Sequence, residues 1–204
     1  MTTRRLMTVV TAVAATFAVA QTLGAQTSGE KLEITAFAIN MSNIGTGANA
    51  VVDITVNAWS TPDERERLIT TMLTKGSDAL LRELQKTPVK GRFRIPGISR
   101  PDPHHLALGL DLHYAWQTPL PEGGRRIVLA TDRYIDFREA RNQPRSIDYP
   151  FTLIEIRADK DGNGEGKMAV ATKINFDKKK NQIELENYAS EPVRLNNVKV
   201  KVKK

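Results

Sequence analysis

Short segments in which apolar and polar residues alternate run through most of this 204-residue chain, and helical spacing replaces them in one place. The clearest example is residues 52–58, where valine, isoleucine and alanine alternate with Asp53, Thr55 and Asn57. In a strand, successive side chains point to opposite faces, so this alternation predicts one buried face and one face exposed to solvent. The chain is therefore predicted to be a mainly β protein.

Eight further segments are predicted as strands, and most are joined by turns rich in glycine, proline, asparagine or aspartate. They are residues 32–41, 92–95, 106–117, 125–134, 151–158, 167–176, 182–188 and 193–202. Such short connections favour antiparallel pairing, whereas a parallel sheet needs a helix between successive strands. We expect an α+β fold dominated by β structure, either an antiparallel sandwich or a partly open barrel. The last segment alternates valine with lysine and is predicted to be an edge strand.

One helical region, over residues 61–87, is predicted after the second strand. Its start has Thr61 as the cap, Pro62 in the first turn and Glu64 three residues after the cap, which is the pattern of a capping box. Gly76 interrupts the apolar helical period. The region is therefore predicted to be a helical hairpin or one kinked helix.

The N-terminus has the three-part pattern of a cleavable export signal. Arg4 and Arg5 precede an apolar run over residues 6–20, and small residues follow at 24–25. The run is shorter than the roughly 20 residues of a spanning helix, and no later stretch approaches that length. We expect residues 1–25 to be a signal peptide and 26–204 a single β-rich domain, periplasmic or secreted, without a transmembrane segment. With no cysteine, the domain can form no disulfide.

The composition argues against a nucleic-acid partner. The formal charge is +7, yet acidic residues are interspersed among the basic ones and aromatic residues make up only 6% of the chain. Nucleic-acid binders usually present a continuous basic stripe or aromatic stacking platforms. We expect no nucleic acid among the partners.

The segment DKDGNGEG, at residues 159–166, is the most specific local motif. Asp159, Asp161 and Asn163 occupy the first, third and fifth positions of an EF-hand-like loop, and Glu165 offers a further oxygen. The twelfth position, where an EF-hand has a bidentate acid, is Val170, and the flanking residues have strand character. A tight turn between two strands therefore competes with a calcium site made by these four residues.

Two other groups are candidates for binding or catalysis. Arg92, Arg94 and Arg100 lie in a Pro- and Gly-rich region, where their guanidinium groups would suit an anion-binding rim. Carboxylates that would surround the segment after residue 134 are candidates for glycosidase-like acid and base roles, which depend on their separation in space. These carboxylates are Asp132, Asp136, Glu139, Asp148 and Glu155.

Serine, thiol and histidine chemistry find little support in the sequence. The chain has no GxSxG motif and no cysteine. Its three histidines, at positions 104, 105 and 113, lack the spacing of a zinc-binding helix. His113 lies on the polar face of its predicted strand and is expected to be exposed to water. No catalytic residue is assigned, and a non-catalytic role is favoured.

Four segments resemble phrases found in a set of uncharacterised exported bacterial proteins. They are NAWSTPDERERL, GGRRIVLATDRYIDF, DYPFTLIEIRADKDGNGEGKM and IELENYASEPVRL, and the resemblance spans roughly residues 45–198. It implies export, but it brings no activity, cofactor or site residue with it.

Three functions remain open from the sequence. The first is a non-catalytic envelope protein that binds a small ligand or a partner through the concave face of the sheet and the loops at 88–105 and 135–150. The second is a secreted hydrolase that uses the loop carboxylates. The third is a structural subunit that assembles through edge strands. An apolar cavity without convergent acids would favour the first.

Overall fold

The computed structural model describes residues 29–40, 49–97, 108–133, 135, 151–170, 174–177, 182–185 and 193–203. Their elements, in chain order, are β1 (Leu32–Asn40), β2 (Asn49–Val56), α1 (Pro62–Lys75), α2 (Ser77–Lys86), β3 (Gly91–Arg94), β4 (Leu110–Pro119), β5 (Arg125–Thr131), β6 (Thr152–Ala158), β7 (Asn163–Val170), β8 (Ile174–Asp177), β9 (Gln182–Leu185) and β10 (Val193–Val202). The predicted signal peptide lies outside the described residues. None of the helices within these ranges is both long and apolar enough to cross a membrane.

Eight of these strands form a closed antiparallel barrel in the order β1-β10-β7-β6-β5-β4-β3-β2. The predicted mainly β α+β fold is confirmed, and of the two architectures expected, the barrel is the one that forms. It is closed because β10 pairs with β1 on one side and with β7 on the other. The prediction that β10 is an edge strand is therefore wrong. Its lysines follow the alternation of a barrel wall, in which every second side chain faces solvent.

The barrel interior is filled by apolar side chains from all eight strands. Ile34, Ile54, Phe93, Leu129 and Ile156 are examples, each at most 2% exposed. An eight-stranded barrel is just wide enough for side chains to fill. The described part of the barrel's concave face is thus occupied by the hydrophobic core, and ligand binding through that face stays a prediction.

Two helices connect β2 to β3, as predicted. Thr61 caps α1: its hydroxyl accepts from the amide of Glu64, whose carboxylate accepts in turn from the amide of Thr61. Gly76, with φ of 79°, ends α1 and precedes α2. This backbone conformation is unfavourable for side chains other than glycine. The region is therefore a helical hairpin and not one kinked helix.

A β-bulge in β4 changes which side chains face the helices. The pairing with β5 shifts register between Leu112 and Tyr114. Leu112 and Ala115 consequently face the interior, while Tyr114 and Trp116 face outward. Simple alternation over the predicted strand 106–117 would place Leu108, Leu110, Leu112, Tyr114 and Trp116 on one face. The bulge breaks that pattern, because it inserts one residue and turns the side chains that follow to the opposite face.

The C-terminal half departs from a simple meander. The segment predicted as one strand over 167–176 contains parts of two strands, β7 and β8, and β7 already begins at Asn163. β8 and β9 pair only with each other among the described strands, as a separate two-stranded sheet. The chain then returns at β10 to close the barrel.

Candidate functional site

A cavity of about 230 Å³ lies between the helical hairpin and the outer wall of the barrel. The hairpin and the wall form a second hydrophobic cluster, separate from the barrel interior. One of the residues that border the cavity, Leu73 of α1, is 52% exposed. The lining residues are Arg65, Leu68, Ile69, Met72, Leu73, Leu80, Leu84, Tyr114, Ala130, Phe151 and Leu153.

The hairpin covers the wall because both helices are amphipathic. In α1, Arg65, Leu68, Ile69 and Met72 recur at the spacing that places side chains on one helix face. In α2, Leu80 and Leu84 are one turn apart and both are buried. The bulge in β4 supplies the other half of the site, because it directs Tyr114 outward to this cluster.

Arg65 and Tyr114 are the two polar side chains of the cavity wall. Arg65 is 7% exposed, and its guanidinium lies over the ring of Trp116, with Cζ 5.0 Å from the ring centroid. The phenol oxygen of Tyr114 accepts a hydrogen bond from the Arg65 side chain. Both polar groups are therefore held in place at one part of an otherwise apolar cavity.

The Tyr114 hydroxyl is held in its protonated form. Burial raises the pKa of Tyr114 to about 12, against the opposing influence of Arg65 and then Arg126. The phenol therefore stays protonated at neutral pH. No acid is among the described residues that line the cavity. A pair of convergent carboxylates, which hydrolysis of a glycoside requires, is not found in that wall.

Buried polar contacts fix the ends of the hairpin on the barrel. At the start of α1, Lys90 donates to the Glu64 carboxylate at 2.8 Å, and the side chains are only 7% and 15% exposed. Burial alone would raise the pKa of Glu64, but the hydrogen bonds from Lys90 and from the Thr61 amide outweigh it and lower the pKa. The two helices are joined to each other by an ion pair between Arg67 and Glu83 at 2.7 Å.

His113 fixes the other end of the hairpin. The imidazole is 8% exposed, and its Nδ1 lies 2.7 Å from the carbonyl oxygen of Thr87, just after α2. A carbonyl only accepts, so Nδ1 carries the proton and donates. Nε2 lies 3.7 Å from the Asp132 carboxylate. The prediction that His113 is exposed is wrong, because the helices cover this face of β4.

The structure gives the Asp159 segment the geometry of a tight turn. One oxygen of Asp159, Oδ1, accepts from the backbone amides of Asp161 and Asn163, both at 2.9 Å. The Asp161 carboxylate contacts the ammonium group of Lys160 at 3.0 Å. Glu165 lies within β7, where it pairs with Arg157 of β6. Calcium binding by this segment stays a prediction, and no cluster of three metal-ligating side chains occurs in the described ranges.

Two of the three arginines of the predicted anion rim are described, and both form ion pairs with acids on neighbouring strands. Arg92 pairs with Asp111 of β4 at 3.1 Å, and Arg94 with Asp53 of β2 at 3.2 Å. Both arginines are about half exposed. Arg100 lies outside the described residues. An incoming anion would compete with these carboxylates, so the anion rim stays a prediction.

Two of the five candidate carboxylates are described, and they lie apart from the cavity lining. Glu155 accepts two hydrogen bonds from Arg126, at 2.9 and 3.1 Å, and is 12% exposed. Asp132 faces His113. Asp136, Glu139 and Asp148 lie outside the described residues, as does nearly all of the predicted binding loop at 135–150. The hydrolase hypothesis stays untested.

No family model, curated protein or solved structure matches this chain. The geometry of the site therefore carries the functional argument by itself. Sequence reasoning missed the cavity, although one signal for it was present. Arg65 occupies a position of the apolar stripe of α1, where a charged residue is unusual.

Proposed function

We propose that this chain is an exported, non-catalytic binding protein that holds an apolar small ligand between its helical hairpin and its barrel. The observation that carries the proposal is the cavity of about 230 Å³ whose wall is apolar apart from Arg65 and Tyr114. Small-molecule sites are typically apolar concavities with a few fixed polar groups that orient the ligand. Export is supported by the pattern of residues 1–25.

The size of the cavity agrees with a ligand of modest size. An apolar cavity of roughly 150 Å³ is large enough for benzene, so the present volume leaves room for a longer alkyl chain. The aliphatic side chains of Leu68, Leu80, Leu84 and Leu153 would contact such a chain. The contacts with the wall replace contacts with water, which is the main favourable contribution to binding an apolar group.

Thermal unfolding of the purified protein with and without 1-octanol tests the proposal. A ligand at a hundred times its dissociation constant stabilises the folded state by about 2.7 kcal/mol, which raises the melting temperature by several degrees. We expect such a rise for the wild type. Ala130→Leu, which adds a side chain to the cavity wall, should abolish it.

Ala79→Leu is the matched control, because the same change is made on α2 at a residue that does not line the cavity. It should leave the response to octanol intact. The proposal is contradicted if the wild type shows no rise across the soluble range of octanol, or if Ala130→Leu responds as the wild type does.

A further inference from the structure

Four exposed lysines lie together at one end of the barrel, where the end of β10 runs beside the start of β1. Lys199 and Lys201 belong to β10, and Lys203 follows just beyond it. Lys31 precedes β1, and its carbonyl oxygen accepts from the amide of Lys203 at 2.8 Å. All four side chains belong to exposed residues. We call these four lysines the basic face.

The strand β1 brings one acid to the basic face. Glu33 is opposite Lys201 in the register of β1 and β10, and its carboxylate pairs with Lys203 at 3.4 Å. Lys31 and Lys203 are neighbours across the two strands, and like charges in such positions repel each other. One glutamate therefore faces four lysines, and the face keeps a net positive charge.

The strand β7, on the other side of β10, does not neutralise this charge. Lys199 is opposite Asn163, which is uncharged. Asp161, in the turn before β7, contacts the ammonium group of Lys160 at 3.0 Å. Within the described part of the chain, neither Lys199 nor Lys201 forms a salt bridge. Both ammonium groups are therefore available to an external anion.

The basic face lies away from the helical hairpin and the cavity. In the strand order of the barrel, β10 and β1 lie across from β4 and β5, on which the hairpin packs. Val202, between two of the lysines, is 55% exposed. A partner can therefore reach four cations and one apolar side chain without displacing either helix.

The composition of the face favours a partner with many negative charges and no fixed geometry. A lysine carries a point charge on a flexible stem, whereas the fork of an arginine suits one carboxylate or phosphate in a set orientation. Lysine stems can also lie along an apolar boundary while the ammonium groups reach polar groups. An anionic bilayer offers both features. The basic face contains no aromatic ring on which a nucleic-acid base could stack.

We propose that the basic face binds the surface of a bilayer rich in anionic phospholipid. The lysine ammonium groups contact lipid phosphates, and Val202 contacts the interfacial region. The attachment is peripheral and electrostatic, with the cavity on the far side of the barrel left open. This proposal goes beyond the ligand-binding function and does not depend on it.

Cosedimentation of the purified protein with lipid vesicles tests the proposal. One set of vesicles contains phosphatidylglycerol and phosphatidylcholine in equal parts, and the other contains phosphatidylcholine alone. The second set measures any contribution of the apolar run at residues 6–20, so the difference between the two sets reports charge. We expect binding to the anionic vesicles to be the stronger and to weaken as added salt screens the attraction.

A double variant, Lys199→Gln with Lys201→Gln, tests the assigned residues. A lysine near an anionic surface contributes about fivefold in affinity, so the pair should weaken binding to the anionic vesicles by about tenfold or more. Lys75→Gln with Lys86→Gln is the matched control, because it removes the same charge from exposed positions on the helical hairpin. The control should bind within about twofold of the wild type.

Glu33→Gln supplies a test that a damaged fold does not imitate, because it predicts a gain. It removes the acid of the face and should strengthen binding to the anionic vesicles by about fivefold. Equal binding of the wild type to both vesicle types would overturn the proposal, as would an equal loss in the two double variants. Binding to a DNA duplex but not to anionic vesicles, with loss of it in the Lys199 and Lys201 double variant, would assign the face to nucleic acid and also overturn the proposal.

Discussion

The guanidinium of Arg65 stacks on the ring of Trp116, with Cζ 5.0 Å from the ring centroid, and so joins the first helix to the outer wall of the barrel. The contact exists because the bulge in β4 directs Trp116 and Tyr114 away from the barrel interior. Three features of the molecule therefore depend on one another: the bulge, the stacked pair and the cavity beside it.

The stacked pair is expected to contribute measurably to stability. Double-mutant cycles with Arg65→Met and Trp116→Leu should give a coupling free energy of about 0.5–2 kcal/mol in urea denaturation, the range for a largely desolvated cation–π contact. Arg67→Met combined with Trp116→Leu should be additive, because Arg67 pairs with Glu83. A coupling near zero for Arg65 and Trp116 would contradict the assigned contact.

The ion pair of Glu155 and Arg126 predicts a loss of stability in acid. Burial alone would raise the pKa of Glu155, but the hydrogen bonds and charge of Arg126, followed by those of Arg157, outweigh it and lower the pKa. The folded state therefore binds fewer protons than the unfolded state around pH 4, and this contribution is lost as the pH falls through the lowered pKa.

Thermal unfolding of the wild type and Glu155→Gln from pH 7 to about pH 3 measures this contribution. The variant should be less stable at pH 7, by about 2 kcal/mol, because Arg126 loses its charged partner in a buried site. The two melting curves should approach each other as the pH falls. Glu33→Gln, at an exposed pair with Lys203, should follow the wild type throughout. A constant difference between wild type and Glu155→Gln at every pH would contradict the assignment.

His113 is expected to hold the C-terminal end of α2 on the barrel. Replacing it with Ala leaves the Thr87 carbonyl without this donor and should lower the free energy of unfolding by about 1–2 kcal/mol. Amide hydrogen exchange should also speed up in α2 more than in α1. Gln85→Ala, on the exposed side of α2, is the control and should change neither quantity appreciably. Uniform acceleration over both helices in His113→Ala would argue against a local anchor.

The Asp159 turn predicts a stabilising role that does not depend on calcium. Asp159→Ala removes two hydrogen bonds to backbone amides and should lower stability by about 1 kcal/mol, equally in chelator and in calcium. Asp161→Ala, which removes only an exposed ion pair, should have little effect. If calcium raises the melting temperature of the wild type, and the variant that combines Asp159→Ala with Asp161→Ala loses this rise, the calcium site would instead be established.

The sequence predicts the local elements well where one residue pattern decides them. The alternation around Ile54 predicts β2, and Thr61 with Glu64 predicts the first residue of α1. The facing of Tyr114 and the closure of the barrel at β10 depend on contacts between distant segments. A pattern within one segment does not contain that information.

The same distinction explains why the sequence did not predict the cavity. The candidates read from the sequence were clusters of like residues, and two of them, Arg92 and Arg94, are paired with acids on neighbouring strands. The cavity instead combines α1, α2 and strands β4 to β6, whose residues are far apart in the chain. The one sequence signal for the cavity was Arg65, a charged residue at an apolar position of α1.

The most direct test of the central claim is to locate a bound alkyl chain by methyl NMR. With 1-octanol present, we expect intermolecular nuclear Overhauser effects from its chain to the methyl groups of Leu68, Leu84 and Leu153, which line the cavity. The methyl groups of Leu129 and Ile154, inside the barrel, should show none. Contacts to the barrel interior, or binding without contacts to the cavity leucines, would contradict the claim that the hairpin and the barrel wall form the ligand site.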